Sequence, residues 1–236
     1  PAWELVPIQN YLDRGISDVP RIGERVMPIV TSRGCPYARK FCTNPRMWGT
    51  IYVLRDPEKV IEELKLYKEK YNINGFEIIE LTFSVKRDWI VSFCELLIEA
   101  NLDMTWYIST TRSEVFDDEI AKLIKRAGCS CVYLTPDSGS EKTIKEMGKG
   151  VNKEKVKTVG SLLLKHGFSV RANLVIAFPN EGHKQVWETI NYGIELAQIG
   201  IQNIIFLRYT PYPGSAYFKL CQERGQIPPF GPEFDN

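Results

Sequence analysis

The chain has 236 residues, 44% hydrophobic and 25% charged, with 30 Lys and Arg against 29 Asp and Glu. That apolar fraction is ample for the buried core of one large or two small domains. A net charge of +1 supplies no overall electrostatic reason to bind nucleic acid or a membrane surface, and no apolar run approaches the roughly 18–20 residues that span a bilayer.

Taken in chain order, residues 1–24 read as a linker segment, 25–225 as the core and 226–236 as a cut C-terminal segment, so the chain is expected to be a piece of a longer parent. No secretory signal pattern opens it, and a cytoplasmic setting is expected. The first strand is expected over 27–32. A helix follows over 57–71, capped by Asp56 with Pro57 at its first position. Its apolar face is read as Val60, Ile61, Leu64, Leu66 and Tyr67. Further strands are expected over 75–82, 104–109, 130–135, 169–178 and 203–209, alternating with helices over 87–100, 117–127, 152–166, 184–199 and 215–224. Gly128 and Gly167 each stand where a helix closes before the next strand. Six strand–helix units in strict alternation imply an α/β fold on a parallel sheet. The pattern by itself leaves two curvatures open, a doubly wound sheet or a barrel-like arc.

The six cysteines lie at 35, 42, 94, 129, 131 and 221. Their scatter in a chain of this size favours reduced thiols over a disulfide framework. Cys94, Cys129, Cys131 and Cys221 read as small buried hydrophobes. The two histidines, His166 and His183, form no metal-binding pattern. The glycines form neither a phosphate-binding loop nor a dinucleotide fingerprint, and the basic residues are dispersed along helices.

The segment Cys35-Pro-Tyr-Ala-Arg39-Lys-Phe-Cys42 follows the first strand, between Arg33-Gly34 and Thr43-Asn-Pro-Arg-Met-Trp-Gly49. Further polar loops follow later strands: Glu80-Leu-Thr-Phe83, Thr135-Pro-Asp-Ser-Gly-Ser-Glu141, Ala177-Phe-Pro-Asn-Glu181 and Thr210-Pro-Tyr-Pro-Gly-Ser215. Together these motifs resemble the radical S-adenosylmethionine (SAM) superfamily, in its cobalamin-associated branch of ester-cyclase and radical-methylase types. The resemblance covers nearly the whole chain. It implies a six-unit parallel (β/α)6 partial TIM barrel, with chemistry at the C-terminal strand ends.

The same resemblance implies a [4Fe–4S] cluster held by C-x-x-x-C-x-x-C, a bound SAM, and cobalamin supplied in a longer parent chain. It makes Cys35 and Cys42 cluster ligands, with Tyr37 and Phe41 as shields. Glu80, Asp137, Ser138, Ser140, Ala177 and Glu181 would form the SAM shell. An electron donor of flavodoxin or ferredoxin type and an unidentified substrate complete the expected partners. The chain departs from the family pattern at Arg39, Leu81, Thr135, Asp137, Ala177 and Asn180. Arg39 stands at the middle ligand position, where a permanently protonated guanidinium has no lone pair for iron. Asn180 replaces a glycine and is expected to adopt its left-handed backbone. Two functional classes are therefore weighed. One is a radical SAM catalytic core impaired at Arg39; the other is a cluster-free barrel that binds SAM, a substrate or a partner without catalysis.

Overall fold

The computed structural model describes residues 1–15, 25–83 and 85–228; the remainder of the expected linker and tail, 16–24 and 229–236, lies outside the described residues. In chain order the elements are α1 (Ile8–Leu12), β1 (Val26–Ile29), β2 (Ser32–Gly34), α2 (Asn44–Met47), β3 (Tyr52–Leu54), α3 (Pro57–Tyr71), β4 (Gly75–Ile78), α4 (Arg87–Ala100), β5 (Thr105–Thr111), α5 (Asp118–Arg126), β6 (Cys129–Asp137), α6 (Glu141–Met147), α7 (Lys153–Lys165), β7 (Ser169–Ile176), α8 (His183–Gln198), β8 (Asn203–Arg208) and α9 (Ala216–Glu223). The six long-range strands form one sheet in the order β1-β4-β5-β6-β7-β8, every neighbouring pair parallel.

That monotonic order decides between the two curvatures. A doubly wound sheet reverses its strand order at a switch point, and none occurs here. β1 and β8 do not pair with each other, so the sheet is the open six-unit arc of a partial barrel. Alternate residues of the strands face opposite sides. Phe76, Ile78, Trp106 and Ile108 pack into the main core with the helices, whereas Tyr107, Cys131 and Tyr133 form a separate cluster on the other face. Burial on both faces accounts for the near-continuous apolar run of a central strand such as β6.

Helix boundaries follow local chemistry. Asp56 caps α3 by accepting from the Glu58 amide at 2.9 Å, and Gly128 and Gly167 take φ of +92° and +74° after α5 and α7. The apolar face of α3 is Val60, Ile61, Leu64, Tyr67 and Tyr71; Leu66 points outward and is exposed, contrary to the sequence reading. At helical spacing a residue two positions after Leu64 has turned away from the stripe.

Two strands end differently from expectation because of a left-handed residue. β7 stops at Ile176 because Ala177 has φ of +66°, and β6 runs on to Asp137, which has φ of +63°. Left-handed backbone disfavours Ala by roughly 1–2 kcal/mol. Glycine would remove that strain but lose roughly 0.4–1 kcal/mol to the freer unfolded chain. Ala177→Gly is therefore expected to stabilise the fold by about 0.5–1 kcal/mol, read as a higher denaturant midpoint with an unchanged slope.

The short strands β2 and β3, absent from the sequence reading of this region, pair antiparallel with Gly34 opposite Tyr52. They clamp the base of the cysteine loop.

Candidate functional site

Because the strands are parallel, their C-terminal ends gather at one rim. Thr31 follows β1, Glu80 follows β4, Arg112 follows β5, Asp137 ends β6, Ala177 follows β7 and Tyr209 follows β8. The cysteine loop is held there by backbone bonds from α6 and α9. Lys40 donates its amide to the Met147 carbonyl at 3.2 Å and accepts from the Tyr217 amide at 3.1 Å. Asn44, itself buried, ties the two cysteines together: its Nδ2 donates to the Cys35 carbonyl at 3.3 Å, and its amide points at Cys42 Sγ at 3.5 Å. Cys35 is buried and Cys42 half-buried.

Glu80 is the most strongly organised acid of the rim. Its Oε2 accepts from Thr31 Oγ1 at 2.7 Å and Ser32 Oγ at 2.6 Å, while its Oε1 is buried without a hydrogen-bond partner. Burial pushes its carboxyl up from the usual range, opposed by the two hydroxyls. Beside it, burial lifts the Tyr52 phenol to about 12, with the Glu80 charge adding in the same direction.

The next loop behaves differently. Ser138 Oγ shares a bond with Thr189 Oγ1 at 3.0 Å and accepts from the Ser140 amide at 3.1 Å, so this hydroxyl is engaged by α8. Gly139 presses on the same helix, where an added Cβ would lie 2.6 Å from the Glu188 carbonyl oxygen. Ser140 precedes α6 and its buried Oγ has no partner. Glu181 spans a turn, accepting from Thr143 Oγ1 at 2.9 Å and from the Phe178 amide at 3.0 Å. Asn180 does not take the left-handed conformation expected of it; Ala177 does. The Asn180 side chain instead accepts from Arg224 Nη2 at 2.8 Å, which ties the turn to the end of α9; with no positive φ, the position makes no demand for glycine.

Phe41 joins an aromatic cluster with Phe178 at 5.7 Å, extended through Tyr209 and Tyr217. Tyr37 is flanked by two guanidiniums, Arg39 at 5.3 Å and Arg112 at 4.3 Å from its ring centre. Lys149 pairs with Asp137 and also donates to the Thr135 carbonyl. Its side chain is nearly fully buried, and burial lowers its ammonium to about 8 against the pull of Asp137, with Arg39 and Arg112 pushing the same way as burial. On the outer side of the loop, a groove of about 690 Å³ runs to α9, lined by Arg39, Cys42, Arg46, Ser215 and Lys219 among others.

The rim thus unites all ten residues singled out from the sequence, and adds Thr31, Ser32, Asn44, Tyr52, Arg112 and Lys149. Lys149 stands in Glu146-Met-Gly-Lys-Gly150, just after α6. Its spacing from Asp137 carries no periodicity that marks a pair.

A family model described as the radical SAM superfamily matches residues 29–193, more than half of the chain. The chain belongs to this superfamily. Its members use SAM and a [4Fe–4S] cluster. Among curated relatives, an uncharacterised methyltransferase of Pyrococcus horikoshii is 28% identical over 221 residues, covering 94% of this chain and 46% of that protein. The anaerobic magnesium-protoporphyrin IX monomethyl ester cyclase of Rubrivivax gelatinosus is 24% identical over 232 residues, covering 96% and 39%. Of solved structures, the radical SAM methyltransferase TsrM of Kitasatospora setae, with cobalamin and a [4Fe–4S] cluster bound, aligns with a TM-score of 0.75 at 17% identity, covering 92% of this chain and 41% of that one. The cobalamin-dependent radical SAM enzyme OxsB aligns with a TM-score of 0.68 at 14% identity, covering 88% and 37%. These structural likenesses bear out the partial-barrel fold. The chain spans less than half the length of these relatives.

The donor set does not fit a cluster held by three thiolates. Two thiols and a guanidinium stand at the three positions, and among the described residues no three His, Cys, Asp or Glu side chains are grouped to hold a metal. No helix among the described residues is long and apolar enough to cross a membrane.

Proposed function

We propose that this chain is the catalytic-core domain of a radical SAM protein, binding SAM across the strand ends, with cluster chemistry impaired by Arg39. The family's reaction is reductive cleavage of SAM to a 5′-deoxyadenosyl radical that drives methylation, cyclisation or rearrangement of a substrate. In this reading Cys35 and Cys42 remain from the ligand set, Tyr37 and Phe41 cover the loop, and Asp137, Ser138, Ser140, Ala177 and Glu181 border the cofactor. Residues 1–24 are a linker, and cobalamin and an acidic electron donor of flavodoxin or ferredoxin type belong to the parent protein, in a cytoplasmic setting.

Glu80 carries the SAM half of the proposal. One carboxylate oxygen is fixed by two hydroxyls and the other is buried without a partner, an acceptor left for an ammonium group. Calorimetric titration with SAM tests it. Glu80→Gln is expected to weaken SAM binding at least tenfold, since a charge-assisted hydrogen bond contributes about 1.5–3 kcal/mol. Stability at pH 7 is expected to hold or rise. A carboxyl raised in the folded state above its ordinary value of 4.5 stabilises folding only at low pH, so its ionised form opposes folding at neutrality. Equal SAM affinity in both proteins would remove Glu80 from the site.

A second reading, a cluster-free barrel that binds SAM, a substrate or a partner without catalysis, is favoured by one observation. The Arg39 side chain turns onto Tyr37 and electrostatically faces Lys149, within the rim.

A further inference from the structure

Arg39 is a cation without a carboxylate. Among the described residues it forms no ion pair, and its Nε is buried with no hydrogen-bond partner. A guanidinium presents five donors in a fixed fork and cannot shed its proton. Stacking on Tyr37 satisfies the ring face but none of those donors.

Two further cations converge on the same place. Arg112 stacks on the same ring and pairs with Glu114 at 2.6 Å. Lys149, nearly fully buried, is paired with Asp137; burial first, and then the two guanidiniums, push it toward its neutral form against the pull of that carboxylate. Three cations therefore converge, and Arg39 brings no carboxylate of its own to a cluster whose Lys149 is nearly fully buried. Like charges brought together at low dielectric repel strongly unless an anion lies among them. Arg39 and Tyr37 are only half-buried, so the guanidinium is reachable.

We propose that Arg39, with Arg112 on the same Tyr37 ring and Lys149 beside Arg112, forms an oxyanion-binding site, taking the carboxylate or phosphate group of a small molecule at the rim. The fork of Arg39 holds two oxygens of the anion, and Lys149 and Arg112 supply the surrounding positive potential. The site does not depend on the assignment of Glu80 to SAM, because its probes carry no ammonium or sulfonium group.

The test is calorimetric titration of the purified chain with sodium phosphate and, separately, sodium acetate, at constant ionic strength set with chloride. Saturable binding of one of the two oxyanions is expected, and Arg39→Gln is expected to weaken it at least tenfold. Tighter phosphate binding assigns the site to phosphate-bearing ligands, and tighter acetate binding to carboxylates. Lys70→Gln, on an exposed residue at the end of α3 that leads into β4 and so at the opposite edge of the sheet from the rim, is expected to leave the affinity unchanged. Comparable melting curves for the variants and the parent chain show that folding is retained. The proposal is overturned if the parent chain binds neither oxyanion saturably, if Arg39→Gln binds as tightly as the parent, or if Lys70→Gln weakens binding as much as Arg39→Gln.

Discussion

After anaerobic reconstitution with iron and sulfide, the chain as it stands is expected to hold far less than four irons per protein, and Arg39→Cys close to four. The reason is the donor set. Iron–sulfur clusters are held by Cys thiolates, and the C-x-x-x-C-x-x-C pattern that the resemblance implies asks for three. Here two thiols are present, in a loop whose geometry is already fixed by Asn44 and by backbone bonds from Met147 and Tyr217. Arg39→Cys supplies the third donor on that fixed loop and at the same time removes a cation from beside Lys149. Iron and sulfide analysis with a visible spectrum measures the difference. Dithionite-dependent formation of 5′-deoxyadenosine is expected to be absent from the parent chain, with a trace in Arg39→Cys. Near-stoichiometric loading of both proteins would show that the ligands were misidentified.

Gly34→Ala is expected to destabilise the fold by roughly 3 kcal/mol, the sum of a left-handed backbone penalty and of overpacking. Gly34 has φ of +81°, and an added Cβ would lie 2.0 Å from the Ile51 carbonyl oxygen, a backbone atom with no freedom to swing aside. In a domain of this size that corresponds to a fall in melting temperature of roughly 6–12 °C. Because Gly34 pairs with Tyr52 at the base of the cysteine loop, the damage reaches the site as well. Urea denaturation gives the stability. A change below about 1 kcal/mol would mean that the ribbon of β2 and β3 yields at little cost.

Element type was legible in the sequence wherever periodicity ran long. The 15 residues of α3, with Asp56 and Pro57 at the start, and the apolar runs of β5 to β8 announce themselves through local chemistry. The cysteine loop and the strand-end motifs were legible too, since they are contiguous. Two features were not. The three-residue strands β2 and β3 exist because they pair with each other, and neither is long enough to show a period. The left-handed residue of the turn after β7 is Ala177 rather than Asn180, whose side chain is engaged by Arg224 from the distant C-terminal region.

The curvature of the sheet and the company of Arg39 are likewise tertiary facts. Alternating strands and helices are compatible with two sheet orders, and only hydrogen-bonded neighbours, β1 beside β4 through to β8, select the arc. The sequence already showed that Arg39 cannot ligate iron, a property of the side chain alone. That it meets Tyr37, Arg112 and the buried Lys149 follows from parallel strands delivering their C-terminal ends to one rim, joining residues 37, 112 and 149 across long stretches of chain.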